Sequence, residues 1–118
     1  MDSPEIAALD EALAAVGEDI VLRRVVGEDP STTNIDVTCR AVVRTFEPEE
    51  LVGGIAQTMS KVIISPSEIS AAGWPGVTPN IPQRLDQVVI AGRVKDIEAV
   101  DPIYVRGVVV RIELQVLG

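Results

Sequence analysis

The feature of this sequence that most constrains its fold is an alternation of apolar and polar residues with a period of two. Between Ile35 and Arg44, one parity holds Ile, Val, Cys, Ala and Val, and the other holds mainly Asp, Thr and Arg, with Val42 as the exception. Successive side chains of a strand point to opposite faces, so this alternation predicts a strand with one buried face. The closing strand repeats the pattern, and the residues that we expect on its buried face are Tyr104, Val108, Val110, Ile112, Leu114 and Val116.

Other segments complete a mainly β chain. The hydrophobic fraction is 47%, yet the sequence contains only one Phe, one Trp and one Tyr, so small and β-branched residues must fill the core. Further strands are predicted at 19–26, at 59–64, and in a hairpin over 87–100 that turns at Ala91-Gly92, with a second turn at Asp101-Pro102. We therefore predict a small antiparallel β-barrel or sandwich of five or six strands, within a single domain of 118 residues.

Residues 3–16 are the one segment with a helical pattern. Ser3 is a favourable N-cap, Pro4 suits the first helical position, and Gly17 is a natural residue to end the helix. Apolar residues recur at spacings of three and four and form one stripe, consisting of Ile6, Leu9, Leu13 and Val16. We expect this stripe to pack on the barrel formed by residues 19–118.

Two long irregular segments interrupt the strands. Residues 45–58 contain Pro48, the pair Gly53-Gly54 and three glutamates, and residues 65–86 contain four prolines and Trp74. Loops of more than about a dozen residues are uncommon in compact domains and often carry function. Trp74 has two interpretations at this point, because it either packs back on the barrel or inserts into a neighbouring subunit as an interface anchor.

The residue types leave little chemistry for catalysis. The sequence has no histidine and one cysteine, which argues against a zinc site and against Ser-His or Cys-His nucleophiles. Cys39 lies on the apolar parity of its strand, so we interpret it as a core side chain. The glycines match no phosphate-binding loop, and paired carboxylates such as Glu49-Glu50 are most simply solvated. We predict that the protein is not an enzyme and holds no metal or cofactor.

Charge is distributed unevenly along the chain. The net charge is −8, with twelve acids and four bases in residues 1–50 and six of each in residues 51–118. This balance argues against gripping nucleic acid, because phosphate binding depends on Lys and Arg. The acidic half is either a solvated surface that maintains solubility or a face with a function. The sequence shows neither a signal peptide nor a transmembrane run, so we expect synthesis in a cytoplasm and no membrane partner.

Several blocks carry, by their order and spacing, a resemblance to a known family. The blocks are 37–44, 48–55, 61–66, 73–75, 86–93 and 100–102, followed by the closing strand. In these blocks the chain resembles the head-completion proteins of long-tailed phages and gene transfer agents, which are also called stoppers or head-closure proteins. The resemblance implies a structural head–tail connector subunit of the virion, made in the bacterial host cytoplasm and placed at the head–tail junction.

The same resemblance implies partners and site residues. The subunit would form a homo-oligomeric ring, sixfold or twelvefold, with the portal or adaptor ring above it and tail-terminator or tail proteins below. It would close the portal channel after DNA packaging and provide the docking site for the tail, with packaged DNA adjacent but not specifically bound. The residues that match the channel-gate loop of the family are Phe46, Glu47, Glu49, Glu50, Leu51, Val52, Gly53, Gly54 and Ile55.

Two alternatives remain open beside this function. An adaptor or tail-terminator subunit of the same neck would share the small β-rich architecture with a different neighbour. A free-standing β-barrel module would instead recognise a peptide, a protein or a small ligand through its long loops.

Overall fold

The structure, a computed structural model, describes residues 3–45, 59–77 and 80–117. Its elements are α1 (Pro4–Val16), β1 (Glu18–Val26), β2 (Thr33–Thr45), β3 (Met59–Ile64), α2 (Pro66–Ala72), β4 (Gln87–Ile90), β5 (Arg93–Val105) and β6 (Val108–Leu117). The strands form a closed barrel in the order β1-β2-β3-β6-β5-β4, and every neighbouring pair is antiparallel. The predicted mainly β fold with an N-terminal helix is confirmed.

The alternation of β2 and β6 builds the interior of the barrel. On β2, Val37, Cys39 and Ala41 are buried, as their parity predicts. On β6, the residues that follow the same rule are Val110, Ile112, Leu114 and Val116. Two residues assigned to this buried face are exposed instead, because Tyr104 lies on β5 and Val108 adjoins the turn; their exposed fractions are 58% and 41%.

One of the two predicted turns is correct and the other is wrong. Ala91-Gly92 joins β4 to β5 with both φ angles positive, as a two-residue hairpin turn requires. Asp101-Pro102 is not a turn, because β5 continues through it to Val105. In this part β5 pairs with β6 but not with β4, and proline is tolerated on such an edge. The turn lies instead at Arg106-Gly107, where both φ angles are again positive.

Helix α1 begins and ends where the sequence predicts, but its end has a different cause. Gly17 has φ −85°, which any residue can adopt, so no left-handed conformation selects glycine here. A Cβ at this position would lie 2.5 Å from the Leu13 carbonyl oxygen and 2.9 Å from that of Ala41. Glycine is therefore required here because a side chain would meet both the last turn of α1 and the backbone of β2.

The apolar stripe of α1 is shorter than predicted. Leu13 is buried, and Ile6 and Leu9 are half-buried, so the helix packs on its own barrel as expected. Val16 is 75% exposed and does not join them. The last turn of the helix thus presents an apolar side chain to solvent.

A second helix corrects the prediction that residues 65–86 are irregular. Ser65 caps α2 by accepting a hydrogen bond from the Ser67 amide at 3.2 Å, and Pro66 occupies the first helical position. Gly73 ends the helix in the left-handed region at φ 66°. The start signal Ser65-Pro66 is the same in kind as Ser3-Pro4 of α1, but the further prolines of the segment obscured it.

Both helices lie on one side of the barrel. Strand β2 pairs with β3 only from Ala41 to Thr45, so β3 leaves the earlier part of β2 uncovered. Helix α2 follows β3 and contacts β2 and β6, and α1 contacts the same two strands and α2. In the barrel order β4 is three strands away from β3 in either direction. The helices therefore cover the β3 side and lie opposite β4.

Candidate functional site

The candidate gate residues, Phe46 to Ile55, lie outside the described residues, as do all others in 46–58. The structure does describe where this segment leaves and rejoins the barrel. Thr45 is the last residue of β2, Met59 is the first of β3, and Thr45 pairs with Ser60. The two ends of the segment are therefore neighbours in adjacent strands at one end of the barrel.

Trp74, the candidate interface anchor, packs back on its own barrel. Its side chain is 2% exposed and belongs to the hydrophobic core, and its indole Nε1 donates a hydrogen bond to the Ile35 carbonyl oxygen at 2.8 Å. The Asn80 side chain donates to the Trp74 carbonyl oxygen at 3.0 Å. Of the two interpretations left open by the sequence, the structure shows the first, because a side chain this buried has no surface to offer a neighbour.

A buried ion pair joins the segment after α2 to β1. The Arg24 guanidinium donates two hydrogen bonds to Asp86, at 2.9 and 2.8 Å, and the two side chains are 12% and 4% exposed. Asp86 also accepts from the Gln83 amide at 2.9 Å. The hydrogen bonds from Arg24 to Asp86 raise the pKa of the guanidinium above its usual value. Arg24 Cζ also lies 5.4 Å from the centroid of the Trp74 ring. The guanidinium therefore makes a cation–π contact with the buried indole in addition to its ion pair.

This ion pair was not predicted from the sequence, although the sequence contains a signal for it. Arg24 shares the buried parity of Ile20 and Leu22 on β1. A charged residue at a buried position needs a partner, since an isolated buried charge is costly. The parity of Arg24 predicts that a carboxylate exists, whereas its identity as Asp86 depends on how the segment 73–86 crosses the barrel.

Arg40 holds α1 against β2. Its side chain donates to three carbonyl oxygens at the end of the helix, those of Leu13 at 3.2 Å, Ala14 at 3.3 Å and Gly17 at 2.6 Å. The Leu13 carbonyl oxygen also accepts a hydrogen bond from the Gly17 amide at 2.9 Å, and a cation near the last carbonyls of a helix complements the helix dipole. The Arg40 amide in turn donates to Glu68 of α2 at 2.9 Å. Alternation alone placed Arg40 on the outer face of β2 but gave no sign of these bonds.

A cluster of three charges lies on the outer wall formed by β3, β6 and β5. Lys61 Nζ is 2.7 Å from one carboxylate oxygen of Glu113, and Arg111 Nε is 2.9 Å from the other. Arg111 thus forms an ion pair with the carboxylate oxygen that Lys61 leaves free. The Lys61 hydrogen bond is the main cause that lowers the pKa of Glu113. Lys61 and Glu113 line a shallow depression together with Asp101, and the cation in it, Lys61, is already paired with the Glu113 carboxylate.

Cys39 lies buried in an environment that disfavours its thiolate. Burial raises the pKa of the Cys39 thiol to about 12, with smaller contributions from the carboxylates of Glu68 and Asp19. Cys39 is therefore a protonated core side chain, as its parity predicts. Within residues 3–45, 59–77 and 80–117, no three His, Cys, Asp or Glu side chains lie close enough to hold a metal ion.

No protein-family model matches this sequence, and neither does any curated protein. Among the described residues, neither helix is long and apolar enough to cross a membrane.

Proposed function

We propose that this protein is a subunit of a phage head–tail connector, a ring that closes the portal channel after DNA packaging and receives the tail. The observation that carries the proposal is the position of the resembling blocks in the fold. Blocks 37–44 and 61–66 form adjacent strands β2 and β3, block 73–75 places Trp74 in the core, and block 86–93 forms β4 and its hairpin. These four blocks thus belong to one continuous unit, the barrel wall and the segment that packs into it.

The proposal assigns channel closure to residues 46–58. Because Thr45 and Met59 are held in adjacent strands, a change within this segment can be made without altering the described core. In the proposed role, Glu47, Glu49 and Glu50 present negative charge to packaged DNA and so repel it. Apolar contacts between the copies of the segment, through Leu51, Val52 and Ile55, would hold it closed.

The free-standing binding module receives less support from the structure. That alternative places recognition in the two long loops, and the loop 65–86 is fixed by Trp74 and by Asp86. Its described part is a helix and a segment bound to the barrel rather than an open loop. An adaptor or a tail terminator of the same neck remains distinguishable by the particle to which it binds.

The test uses particles assembled with a variant of this protein that lacks residues 47–57. We expect a folded protein that still docks on filled heads but no longer retains DNA, measured as DNA content after separation on a density gradient. The matched control keeps the segment length and replaces Glu47, Glu49 and Glu50 with Gln, which separates the loss of charge from the loss of the segment.

Each outcome of this experiment has a definite meaning. Full DNA retention with normal tail joining would show that the segment is not a gate. Recovery of the protein on purified tails alone would favour the tail terminator. Absence of the intact protein from both heads and tails would overturn the connector proposal.

A further inference from the structure

A strained turn presents an exposed leucine just before β4. The Asp86 amide donates to the Gln83 carbonyl oxygen at 3.1 Å and closes a β-turn whose central residues are Arg84 and Leu85. Leu85 has a φ of 82° and Arg84 has no positive φ, which is the pattern of a type II turn. The third position of such a turn favours glycine or asparagine, because a Cβ is crowded at positive φ. A leucine at this position strains the backbone.

The Leu85 side chain does not pack on the barrel, although the turn that carries it is firmly held. Leu85 is 78% exposed. On either side of the turn, Pro82 is fully buried and Asp86 is bound by Arg24. The Leu85 amide also donates to the Ile97 carbonyl oxygen at 3.2 Å. Glycine would suit this turn better than leucine, so the described fold does not explain the leucine, and a backbone outlier of this kind points to a function.

The exposed leucine has an unpaired cation beside it. Arg84 is exposed and forms no ion pair with any described residue. The nearest acid in the chain, Asp86, is buried and already paired with Arg24. An apolar side chain next to a free cation is complementary to a groove that is apolar and acidic.

A groove of this chemistry lies between the two helices of the same chain. It has a volume of about 300 Å³, most of its surface is apolar, and it is lined by Asp10, Leu13, Ala14, Arg40, Ser67 and Glu68. Neither Asp10 nor Glu68 forms an ion pair with a described residue. The guanidinium of Arg40 is already bound to carbonyl oxygens at the end of α1. Because α1 contains three acids, α2 contains one, and neither contains a base, the groove can accept a cation.

We propose that the Arg84-Leu85 turn of one subunit binds the groove between α1 and α2 of a second copy of this chain. Leu85 packs on the apolar surface of the groove beside Ala14, and Arg84 pairs with the carboxylates. The turn leads into β4, whereas the helices lie on the β3 side, so the contact is heterologous. Repeated heterologous contacts form a ring when their rotation closes. The inference rests on the proposed connector function and names the subunit contact of its ring.

The contact is expected to be weak between free subunits. Each subunit has a net charge of −8, and like charges repel. The isolated chain should therefore be a monomer at micromolar concentration and should associate only as its concentration approaches about 1 mM. Backbone amide NMR shifts suit such a contact in a chain of 118 residues, because they locate weak binding residue by residue.

The first measurement is a dilution series of the labelled full chain. Spectra are recorded from about 0.05 to about 1 mM, a range in which a contact with a millimolar dissociation constant changes its occupancy. We expect the shifts to depend on concentration for two groups of amides, those of the turn 83–86 and those of α1 and α2 beside the groove. Amides of the outer wall around Glu113 should not shift.

Leu85→Gly separates the contact from the stability of the fold. Because glycine suits a φ of 82°, the urea midpoint of this variant should equal or exceed that of the original chain. The concentration-dependent shifts should fall by roughly fivefold or more, because the side chain that anchors the contact is gone. Val77→Gly is the matched control, since it removes another apolar side chain that is 60% exposed. It should leave the concentration dependence unchanged.

Ala14→Arg tests the groove from the other side of the contact. Ala14 is exposed, so a larger side chain there fills the groove without entering the core, and its charge repels Arg84. The shifts should again fall by roughly fivefold or more. Ala15→Arg is the matched control, because it adds the same charge to the same helix at an exposed position that does not line the groove.

Mixing the two defective chains tests whether the contact joins a turn to a groove. Leu85→Gly keeps an intact groove, and Ala14→Arg keeps an intact turn. Labelled Leu85→Gly should therefore shift only at the groove when unlabelled Ala14→Arg is added, and the reverse labelling should shift only the turn. A contact of turn with turn, or of groove with groove, does not give this exchange.

The outcomes separate this contact from the connector function. Shifts that are absent up to about 1 mM, that lie on other surfaces, or that survive Leu85→Gly would overturn the proposed contact. A lower urea midpoint for Leu85→Gly would do so as well, because the leucine would then serve the fold. If no shifts occur and Leu85→Gly also fails to dock on filled heads, the turn binds a different neck protein. The connector function is judged by the presence of the original chain on heads, so the two proposals can fail independently.

Discussion

Two segments outside the strands, residues 65–86 and helix α1, are attached to the barrel by different physics. The first contributes Ile69, Trp74 and Pro82 to the fully or nearly fully buried interior, and Asp86 anchors its end. Helix α1 contributes one buried residue, Leu13, besides the half-buried Ile6 and Leu9, and is also held by polar contacts such as those of Arg40. The first segment is therefore part of the core, whereas α1 is a helix positioned on its surface.

This difference decides how each segment responds to damage. Losing an anchor of 65–86 opens a cavity or leaves a buried charge unpaired, and both consequences fall on the whole barrel. Losing an anchor of α1 exposes groups that water can satisfy, and a helix of 13 residues is marginal without tertiary contacts. Damage to residues 65–86 should therefore cost more stability than damage to α1.

The largest effect should come from Trp74→Ala. The substitution removes a core side chain that is 2% exposed and its hydrogen bond to Ile35, so we expect a loss of about 3–5 kcal/mol in the free energy of unfolding. Urea denaturation measures it. Trp74→Phe is the control, since it keeps most of the volume and should lose clearly less. A Trp74→Ala protein with nearly unchanged stability would mean that this segment is not part of the core.

The next effect compares two Arg–Asp pairs that share the same bidentate geometry. Asp86→Ala leaves Arg24 buried without its partner, and we expect a loss of about 3 kcal/mol or more. Asp36→Ala removes the matching partner of Arg23 on the outer face, where the Asp36 side chain is 40% exposed. That loss should be much smaller, because solvent screens an exposed ion pair. Equal losses in urea denaturation would contradict the distinction between buried and surface anchors.

The strands and the segment 65–86 also differ in how far the sequence predicts them. The parity of β2 follows directly from alternation, because each residue independently indicates the face it occupies. Helix α2 had local signals in Ser65-Pro66 and Gly73, yet the prolines around it suggested irregular structure. Pro102 likewise suggested a turn. Strand β5 instead continues through it, because this part of β5 does not pair with β4, which only the barrel topology reveals.

Contacts between segments that are distant along the chain could not be predicted from the sequence. The parity of Arg24 required a carboxylate, but nothing local selects Asp86, which lies 62 positions away. The choice for Trp74 between the core and an interface depended likewise on whether the chain after α2 turns back across the barrel. The candidate gate stays a prediction, because residues 46–58 lie outside the described part of the chain.

The smallest global effect should come from Arg40→Met, which removes the guanidinium contacts to Leu13, Ala14 and Gly17 but keeps an unbranched apolar stem. Water can replace the lost donors, because Ala14 is exposed and Gly17 half-buried, so we expect a loss of only about 1 kcal/mol in the stability of the barrel. The local effect should be larger. Amide hydrogen exchange in α1 should accelerate by roughly tenfold or more while exchange in β2 and β6 stays near its original rate, since α1 opens as a unit of low stability. Arg23→Met is the matched control, because Arg23 contacts Asp36 on the strand surface and does not bind α1. If α1 and the barrel strands accelerated together in Arg40→Met, the helix would be an integral part of the core, and the contrast with residues 65–86 would disappear.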